Sequence, residues 1–319
     1  MRAVMRPDRP PRISYAVHFR TSRGAGGVEH ETARAELLAA ACHLPLTLVD
    51  EDRPVNRVSV HVPPEAEDDL LALMPRLGYA EALTRMVREF GAGVGMSHRE
   101  TRKIERWLVG EYRRGPDRVV HELLWQADDV AREARSPHQR LFKMRIDGEV
   151  RATLSRRKRR RLSCCDAMVM LNLARVDDDA LVVDPFAGIG GIVLEARRMG
   201  LRTLCGDIAT QLAPGLGELS GGLGAIWDAT ALPLPDRCAD AVVTEPPYAD
   251  ERHEDVLRAL PEIARILRPR TRAVLLIDQE MAGTVVHAAH EAGLAPDEQY
   301  TVHRAGGITA RLLVMTAVG

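Results

Sequence analysis

The sequence has almost no net charge and very little lysine. Its 319 residues carry 44 basic and 45 acidic side chains, and of the basic ones only Lys103, Lys143 and Lys158 are lysines. This balance excludes a protein-wide positive field that would attract a polyanion, so any surface for nucleic acid has to be local. The composition is otherwise that of an ordinary globular protein, long enough for one large domain or two modest ones.

Long apolar runs are also missing. No window approaches the roughly 18 uninterrupted apolar residues that a membrane-spanning helix needs. The start, MRAVMRPDRPPRISY, is basic and proline-rich and has no apolar core of the kind that secretory signals carry. We therefore expect a cytoplasmic protein that has no membrane partner.

The cysteines show no paired spacing. There are five of them, an odd number, and the adjacent pair Cys164 and Cys165 is disfavoured by ordinary disulfide geometry. Reduced thiols and no metal site are expected. Nothing in the sequence indicates an oligomeric state.

Three segments of the chain differ in pattern. Residues 1–90 alternate short strand-like runs with amphipathic helices, which predicts a small N-terminal α/β domain. Residues 91–161 begin near the glycine-rich stretch FGAGVGMS and are predicted to be a mostly helical linker or substrate-binding segment. Residues 162–319 alternate strands and helices regularly, which predicts a doubly wound, mostly parallel sheet of seven strands, with one antiparallel edge strand from the closing pair.

A glycine-rich turn opens this last segment. VVDPFAGIGGIVLEA, residues 182–196, reads as a strand that ends in an acid, a turn and the start of a helix. Gly188, Gly190 and Gly191 remove side chains that would keep a ligand away from the backbone at the carboxyl edge of the sheet. A turn of this kind, taken alone, also suits a dinucleotide-binding enzyme.

Acids at successive strand ends separate the two possibilities. Asp184 can accept from an ammonium group, Asp207 from ribose hydroxyls, and Asp228 from an adenine amino group. A ligand with an amino acid end, a ribose and an adenine is S-adenosylmethionine (AdoMet), which is the cofactor predicted here. The predicted cofactor-binding residues are Asp184, Pro185, Phe186, Ala187, Gly188, Gly190, Gly191, Asp207, Ile208, Asp228 and Ala229. Asp228 has a simpler reading as the cap of a turn.

Four motifs together carry a family resemblance. DPFAGIGGIVLEA, GDI, DATALPLP and TEPPY occur in the order, and on the predicted elements, of the Rossmann-like class I AdoMet-dependent N-methyltransferases. The sequence most resembles the THUMP-associated group that methylates the guanine N2 amine of tRNA, over about residues 163–318. No clear THUMP domain is recognisable between residues 91 and 150. The resemblance implies a methyltransferase with a mostly parallel seven-stranded sheet and a smaller N-terminal α/β domain.

The same resemblance assigns roles in the loop TEPPYAD, residues 244–250. It implies that the acid accepts hydrogen bonds from the target nitrogen, that the prolines hold a backbone carbonyl on that nitrogen, and that the aromatic ring stacks on the planar group. The predicted catalytic residues are Glu245, Pro246, Pro247 and Tyr248. The family has Asp or Asn at the first of these positions. The extra methylene of Glu245 would suit a two-oxygen grip on a guanidinium.

A run of basic residues precedes the predicted methyltransferase domain. RRKRRR, residues 156–161, reads equally well as a solvated helix face and as a patch that contacts a few phosphates. The predicted substrate-binding residues within it are Arg156, Arg157, Arg159 and Arg160.

Three functions fit these observations. The first is N-methylation of a nucleobase amine in RNA, such as tRNA, which the motifs and the arginine run favour slightly. The second is N-methylation of a guanidino or amino nitrogen in a small molecule such as an arginine-like metabolite, which the overall charge balance and Glu245 favour. The third is a non-catalytic binding protein that keeps the fold, which the intact glycine and acid positions disfavour.

Overall fold

The structure is a computed structural model that describes residues 13–19, 30–49, 57–89, 112–114, 117–127, 162–248, 252–304 and 308–319. The described residues form two compact units. The FGAGVGMS stretch and the RRKRRR run lie outside the described residues. Within these ranges, no helix is long and apolar enough to cross a membrane.

The first unit contains a six-stranded antiparallel sheet. Its strands lie in the order β2-β3-β1-β4-β6-β5. Its elements are β1 (Ile13–Phe19), β2 (Thr47–Val49), β3 (Arg57–Val62), α2 (Glu67–Leu73), β4 (Ala80–Glu89), β5 (Tyr112–Arg114) and β6 (Asp117–Gln126). The runs ISYAVHF and RVSVHV, predicted as strands, coincide with β1 and β3. The predicted boundary at residue 90 falls between β4 and its partner strand β6.

Strands β5 and β6 correct the helical prediction for the described part of residues 91–161, which is residues 112–114 and 117–127. The apolar residues of β6 follow one another at 119, 120, 123 and 124, a spacing that also suits one face of a helix. In the structure, Leu83 of β4 pairs with Trp125 and Thr84 pairs with Leu123, so Leu124 is an extra residue at a bulge. The bulge breaks the two-residue alternation by which a strand is recognised.

The second unit contains the remaining described elements. It includes the early helix α1 and residues 76–79 as well as everything described from residue 162 onward. Its helices are α1 (His30–Ala40), α3 (Cys164–Leu173), α4 (Gly191–Arg198), α5 (Ala213–Leu219), α6 (His253–Ile266) and α7 (Ala282–Glu291). Its strands are β7 (Leu181–Asp184), β8 (Arg202–Asp207), β9 (Gly224–Ile226), β10 (Ala239–Thr244), β11 (Leu267–Asp278), β12 (Leu294–Arg304) and β13 (Ile308–Ala317).

The seven strands of this unit form the predicted mostly parallel sheet. Their order is β9-β8-β7-β10-β11-β13-β12, and β7 to β11 are joined by parallel pairings. The antiparallel strand β13 lies inside the sheet, between β11 and β12, and not at the predicted edge. Its apolar run LLVM, residues 312–315, is buried, which suits an interior strand, whereas the polar β12 is partly exposed and forms the edge. The predicted class I methyltransferase fold is confirmed.

The strand order places a crevice beside β7. The chain leaves β7 toward β8 on one side, and β10 pairs with it on the other side, so the order of the strands reverses here. Ligands of open α/β sheets bind at the carboxyl ends of strands at such a reversal. Val182 and Val183 of β7 and Val242 of β10 are fully or almost fully buried, and this core fixes the strand ends above it.

A buried carboxylate fastens α1 within the second unit. Glu36 is 1% exposed and accepts hydrogen bonds from the backbone nitrogens of Gly78 (2.6 Å) and Tyr79 (3.0 Å). The side-chain nitrogen of Asn172 on α3 donates a third bond of 2.8 Å to the same carboxylate. Because a buried charge without donors is strongly unfavourable, these bonds hold α1, residues 76–79 and α3 together.

Candidate active site

Asp184 lies at the carboxyl end of β7, at the bottom of the crevice. It is 3% exposed, and its Oδ1 accepts hydrogen bonds from the hydroxyl of Thr244 (2.7 Å) and the backbone nitrogen of Phe186 (3.3 Å). Burial raises the pKa of Asp184 to about 7, although both hydrogen bonds oppose the rise. Among the described residues, no arginine or lysine forms an ion pair with it. Asp184 is therefore a buried acid that a ligand cation would stabilise in its charged form.

The glycine-rich turn curls around this acid. Gly188 and Gly190 have φ values of 54° and 81°, in the left-handed region that favours glycine. Gly190 directly precedes α4, and a Cβ there would lie 2.7 Å from a methyl carbon of Leu219. The turn thus depends on glycine both for its backbone and for its packing.

Asp207, at the end of β8, holds the turn from the other side. Its two carboxylate oxygens accept from the backbone nitrogens of Gly188 and Ala209, each at 2.9 Å. The next residue, Ile208, is 55% exposed, which is unusual for a large apolar side chain and leaves an apolar surface beside the acid. Carboxylate oxygens have further lone pairs, so Asp207 retains the capacity to accept from hydroxyl groups.

Asp228 follows β9 and caps a turn. Its Oδ1 accepts from the backbone nitrogen and the hydroxyl of Thr230, at 2.9 and 2.8 Å. These bonds lower its pKa, and the residue is exposed. The simpler reading of Asp228 as a turn cap therefore describes its present contacts, and its exposure leaves it accessible to a ligand. Ala229 beside it is buried.

A tryptophan supports the crevice from below. A Cβ on Gly206 would lie only 2.4 to 2.6 Å from atoms of the Trp227 indole, so this strand position requires glycine. The indole nitrogen of Trp227 donates to the backbone oxygen of Pro185 at 3.1 Å, and the nitrogen of Ala187 donates to the oxygen of Gly206 at 2.9 Å. These contacts fix the turn against β8 and β9. The sequence reading did not identify Gly206 and Trp227 as part of the site.

The arrangement fits the predicted cofactor. An acid without a cationic partner among the described residues, a glycine-rich turn, and a second acid beside an exposed apolar residue follow one another along β7 and β8. Asp184 would hold an ammonium group, Asp207 ribose hydroxyls, and Asp228 an adenine amino group. These assignments, and those of the other predicted cofactor-binding residues, stay predictions.

The loop after β10 lies next to Asp184. Thr244, the last residue of β10, is fully buried and donates its hydroxyl to Asp184, so the predicted cofactor acid and the predicted catalytic loop share a hydrogen bond. Pro246 is buried, Pro247 is exposed and Tyr248 is partly buried. The sequence motif includes Thr244 but predicts no role for it.

Glu245 forms an ion pair with an arginine of the chain itself. Nη1 of Arg304, the last residue of β12, donates to Oε1 of Glu245, and the two side chains are 7% and 16% exposed, in that order. The same nitrogen donates to the Tyr248 hydroxyl at 3.1 Å, and the guanidinium carbon lies 5.9 Å from the centre of the Tyr248 ring. Burial raises the pKa of Glu245 above its usual range, and Arg304 opposes that rise.

Sequence reasoning missed Arg304 entirely. It lies 59 positions from Glu245 in the chain and three strands away in the sheet.

Burial and the charge of Glu245 also raise the pKa of Tyr248, so its hydroxyl stays protonated. The four predicted substrate-binding arginines lie outside the described residues. Within the described ranges, no group of His, Cys, Asp or Glu side chains is arranged to hold a metal ion.

Comparison with known proteins finds named enzymes that are similar to part of this chain. No protein-family model matches the chain. Two curated proteins named tRNA (guanine(10)-N2)-dimethyltransferase match part of it: one from Methanothermobacter thermautotrophicus is 36% identical over 104 residues, and one from Methanocaldococcus jannaschii is 33% identical over 117 residues. The matches cover 29% and 31% of this chain, and 31% and 33% of those relatives, so the chain spans about a third of their length.

A solved structure extends the likeness to the whole chain. The crystal structure of TrmN from Thermus thermophilus aligns with 97% of this chain and 100% of its own, with a TM-score of 0.55 and 17% sequence identity. At that identity the likeness concerns the fold alone. The curated relatives carry the name of the group that the four motifs resemble, and the resemblance to tRNA guanine-N2 methyltransferases is therefore confirmed.

Proposed function

We propose that this protein is an AdoMet-dependent N-methyltransferase that acts on a nucleobase amine in RNA, with the N2 amine of a tRNA guanine as its target. One observation carries the proposal. The buried acid Asp184 and the loop acid Glu245 stand at the carboxyl ends of two paired parallel strands, and Thr244, the residue before Glu245, donates its hydroxyl to Asp184. A cofactor ammonium at the first acid and an amine at the second would therefore be held side by side.

Bound AdoMet would supply a methyl group on a positively charged sulfur. Glu245 accepts a hydrogen bond from the target amine and turns its lone pair toward the methyl carbon, which is mainly a matter of positioning and electrostatics. Transfer of that methyl group to the target nitrogen would leave the electron pair of the broken C–S bond on sulfur. The proton that the nitrogen loses departs along its hydrogen bond to Glu245.

Tyr248 supports a planar target. Its ring is partly buried and its hydroxyl is tied to Arg304, so the ring face has a fixed orientation before any substrate arrives. Stacking of a base on such a face contributes about 1–3 kcal/mol. The names of the curated relatives point to the same class of target.

The ion pair bears on the small-molecule alternative. The length of Glu245 would favour a guanidino substrate if its carboxylate had no guanidinium partner within the chain. Arg304 is such a partner, so the length of Glu245 no longer favours that substrate. The near-zero net charge still favours a small metabolite, but it leaves room for a local RNA-binding surface. The RNA reading is therefore preferred, and the arginines at positions 156, 157, 159 and 160 are proposed to contact phosphates.

The test is methyl transfer with a chemically identified product. The protein is incubated with methyl-labelled AdoMet and either unmodified tRNA transcripts or a pool of guanidino and amino metabolites, and RNA is digested to nucleosides for mass spectrometry. The expected product is N2-methylguanosine. Label in the metabolite pool alone, or in neither substrate, would contradict the proposal.

A second measurement examines how RNA is held. Three of the four arginines are replaced by glutamine. The slope of log K for RNA binding against log salt concentration is expected to become shallower by about 0.7 to 0.9 for each phosphate interaction that is removed. Replacing three exposed arginines elsewhere, Arg197, Arg198 and Arg202, is the matched control. An equal change in both variants would rule out a specific role for the run.

A further inference from the structure

Arg304 is placed where it acts on both the ionisation and the orientation of the Glu245 carboxylate. Its guanidinium is nearly buried, bonds to Oε1 of Glu245 and also holds the hydroxyl of Tyr248. It therefore contacts two of the predicted catalytic side chains from a strand that carries none of them. A cation in this position acts on a buried carboxylate in two ways: it stabilises the charged form, and it fixes the direction of one oxygen.

We propose that Arg304 is a positioning residue that keeps Glu245 ionised and aimed at the substrate amine, and that the glutamate is present in place of the shorter acid because it has to reach this arginine. The inference rests on the proposed function, since it assigns Glu245 the role of accepting from the amine. Arg304 then accounts for the one loop position that departs from the Asp or Asn of the family.

The surroundings of Glu245 show why a cation is needed. Asp166 on α3 and Asp184 on β7 both place negative charge near it, and the loop's own Tyr248 contributes a hydroxyl. Burial and these acids favour the protonated carboxyl; the charge of Arg304 opposes them first, and a hydrogen bond with Tyr248 acts in the same direction. A protonated Glu245 has less capacity to accept from an amine N–H. Removing the arginine is therefore expected to lower turnover at the pH values where Glu245 becomes protonated, and to leave the predicted cofactor acids unchanged.

The length of Glu245 also predicts the effect of Glu245→Asp. Shortening the side chain withdraws the carboxylate from Arg304 and leaves a nearly buried guanidinium without this partner. Breaking a buried pair from one side is strongly unfavourable. The shorter acid is thus expected to lower turnover even if the target is a nucleobase, and Arg304→Gln in the Asp background is expected to recover part of the loss.

The decisive experiment measures the protonation of Glu245 by NMR and compares it with the pH dependence of turnover. In protein labelled with ¹³C at the glutamate side-chain carboxyl, the Glu245 signal is assigned by its loss in Glu245→Gln and titrated in the wild type, Arg304→Gln and Arg304→Lys. The control is Arg311→Gln, which removes a charge from the same hairpin. The Glu245 midpoint is expected to rise by about one to three pH units in Arg304→Gln and to move much less in the other two variants.

Turnover on tRNA is measured across pH with saturating AdoMet, so that Asp184 is held in its charged form throughout. The acid limb of the kcat profile is expected to move upward with the Glu245 midpoint in Arg304→Gln, while the Kd for AdoMet stays unchanged. In the Glu245→Gln background, Arg304→Gln is expected to cost little further activity, because the charge it serves is absent.

The outcomes separate the two ideas. A wild-type protein that methylates no RNA contradicts the proposed function. A wild-type protein that does methylate RNA, with the same Glu245 midpoint and the same acid limb in Arg304→Gln, overturns the role of Arg304 alone. An equal loss of activity from Arg304→Gln in the wild-type and Glu245→Gln backgrounds would overturn it as well, since the arginine would then act independently of the glutamate.

Discussion

Two acids at the same edge of the sheet differ in the charge of the groups that contact them. Asp184 and Glu245 stand at the ends of neighbouring parallel strands, and burial raises the pKa of both. Glu245 has an arginine partner within the chain, whereas Asp184 receives only hydrogen bonds from neutral donors among the described residues. The contrast teaches that the fold itself supplies a cation for Glu245, whereas we propose that the cofactor supplies the cation for Asp184.

The largest effect is expected from neutralising the acid that is already paired. Glu245→Gln should lower turnover by roughly 10²-fold or more, the size expected for one preorganised polar contact in the transition state. Its Kd for AdoMet should stay unchanged, because the cofactor acids lie on other strands. Single-turnover methyl transfer and calorimetry measure the two quantities. A normal rate in this variant would remove the loop from the active site.

Neutralising the acid that lacks a charged partner among the described residues should have the reverse pattern. Asp184→Asn is expected to weaken AdoMet binding by about tenfold to a hundredfold, the cost of removing a hydrogen bond to a charged group. Calorimetry measures it, with Asp178→Asn in the exposed turn before β7 as the matched control. If both variants bind AdoMet like the wild type, Asp184 does not hold the ammonium group.

The pH dependence should sharpen the contrast further. The pKa of Asp184 is about 7 in the unliganded protein, and the charged form is the one that pairs with an ammonium. Affinity for AdoMet should therefore fall about tenfold from pH 8 to pH 6. Stability should run the other way: because the folded pKa is raised, the contribution of Asp184 to stability decreases as pH rises from about 4 toward 7. Both trends should vanish in Asp184→Asn.

The smallest effect is expected at the residue that joins the two acids. Thr244→Val removes the hydroxyl that lowers the pKa of Asp184, so the midpoint of AdoMet binding should move upward by about half a pH unit to one unit. Affinity at pH 8.5 should change little. A pH titration of Kd by calorimetry tests this, and an unchanged midpoint would mean that the bond to Thr244 is not maintained in solution.

Local patterns were enough to predict the sheet and its acids. Glycines in a strand-turn-helix context and acids at strand ends are separated by only a few residues, so short-range periodicity locates Asp184 and Asp207. Arg304 could not be found in that way, because it meets Glu245 only after β12 and β13 have joined the sheet. The helical prediction for β6 was wrong for a related reason, since its bulge depends on the partner strand β4.

The three bonds to Glu36 have a consequence for how this chain can be divided. Helix α1 precedes most of the first sheet in sequence, yet it is fastened to α3 and to residues 76–79 of the second unit. A fragment beginning at residue 162 would keep every predicted cofactor acid and lose the carboxylate that satisfies Asn172. Residues 162–319 therefore lack part of the second unit, and a recombinant fragment that keeps these contacts also has to contain helix α1 and residues 76–79.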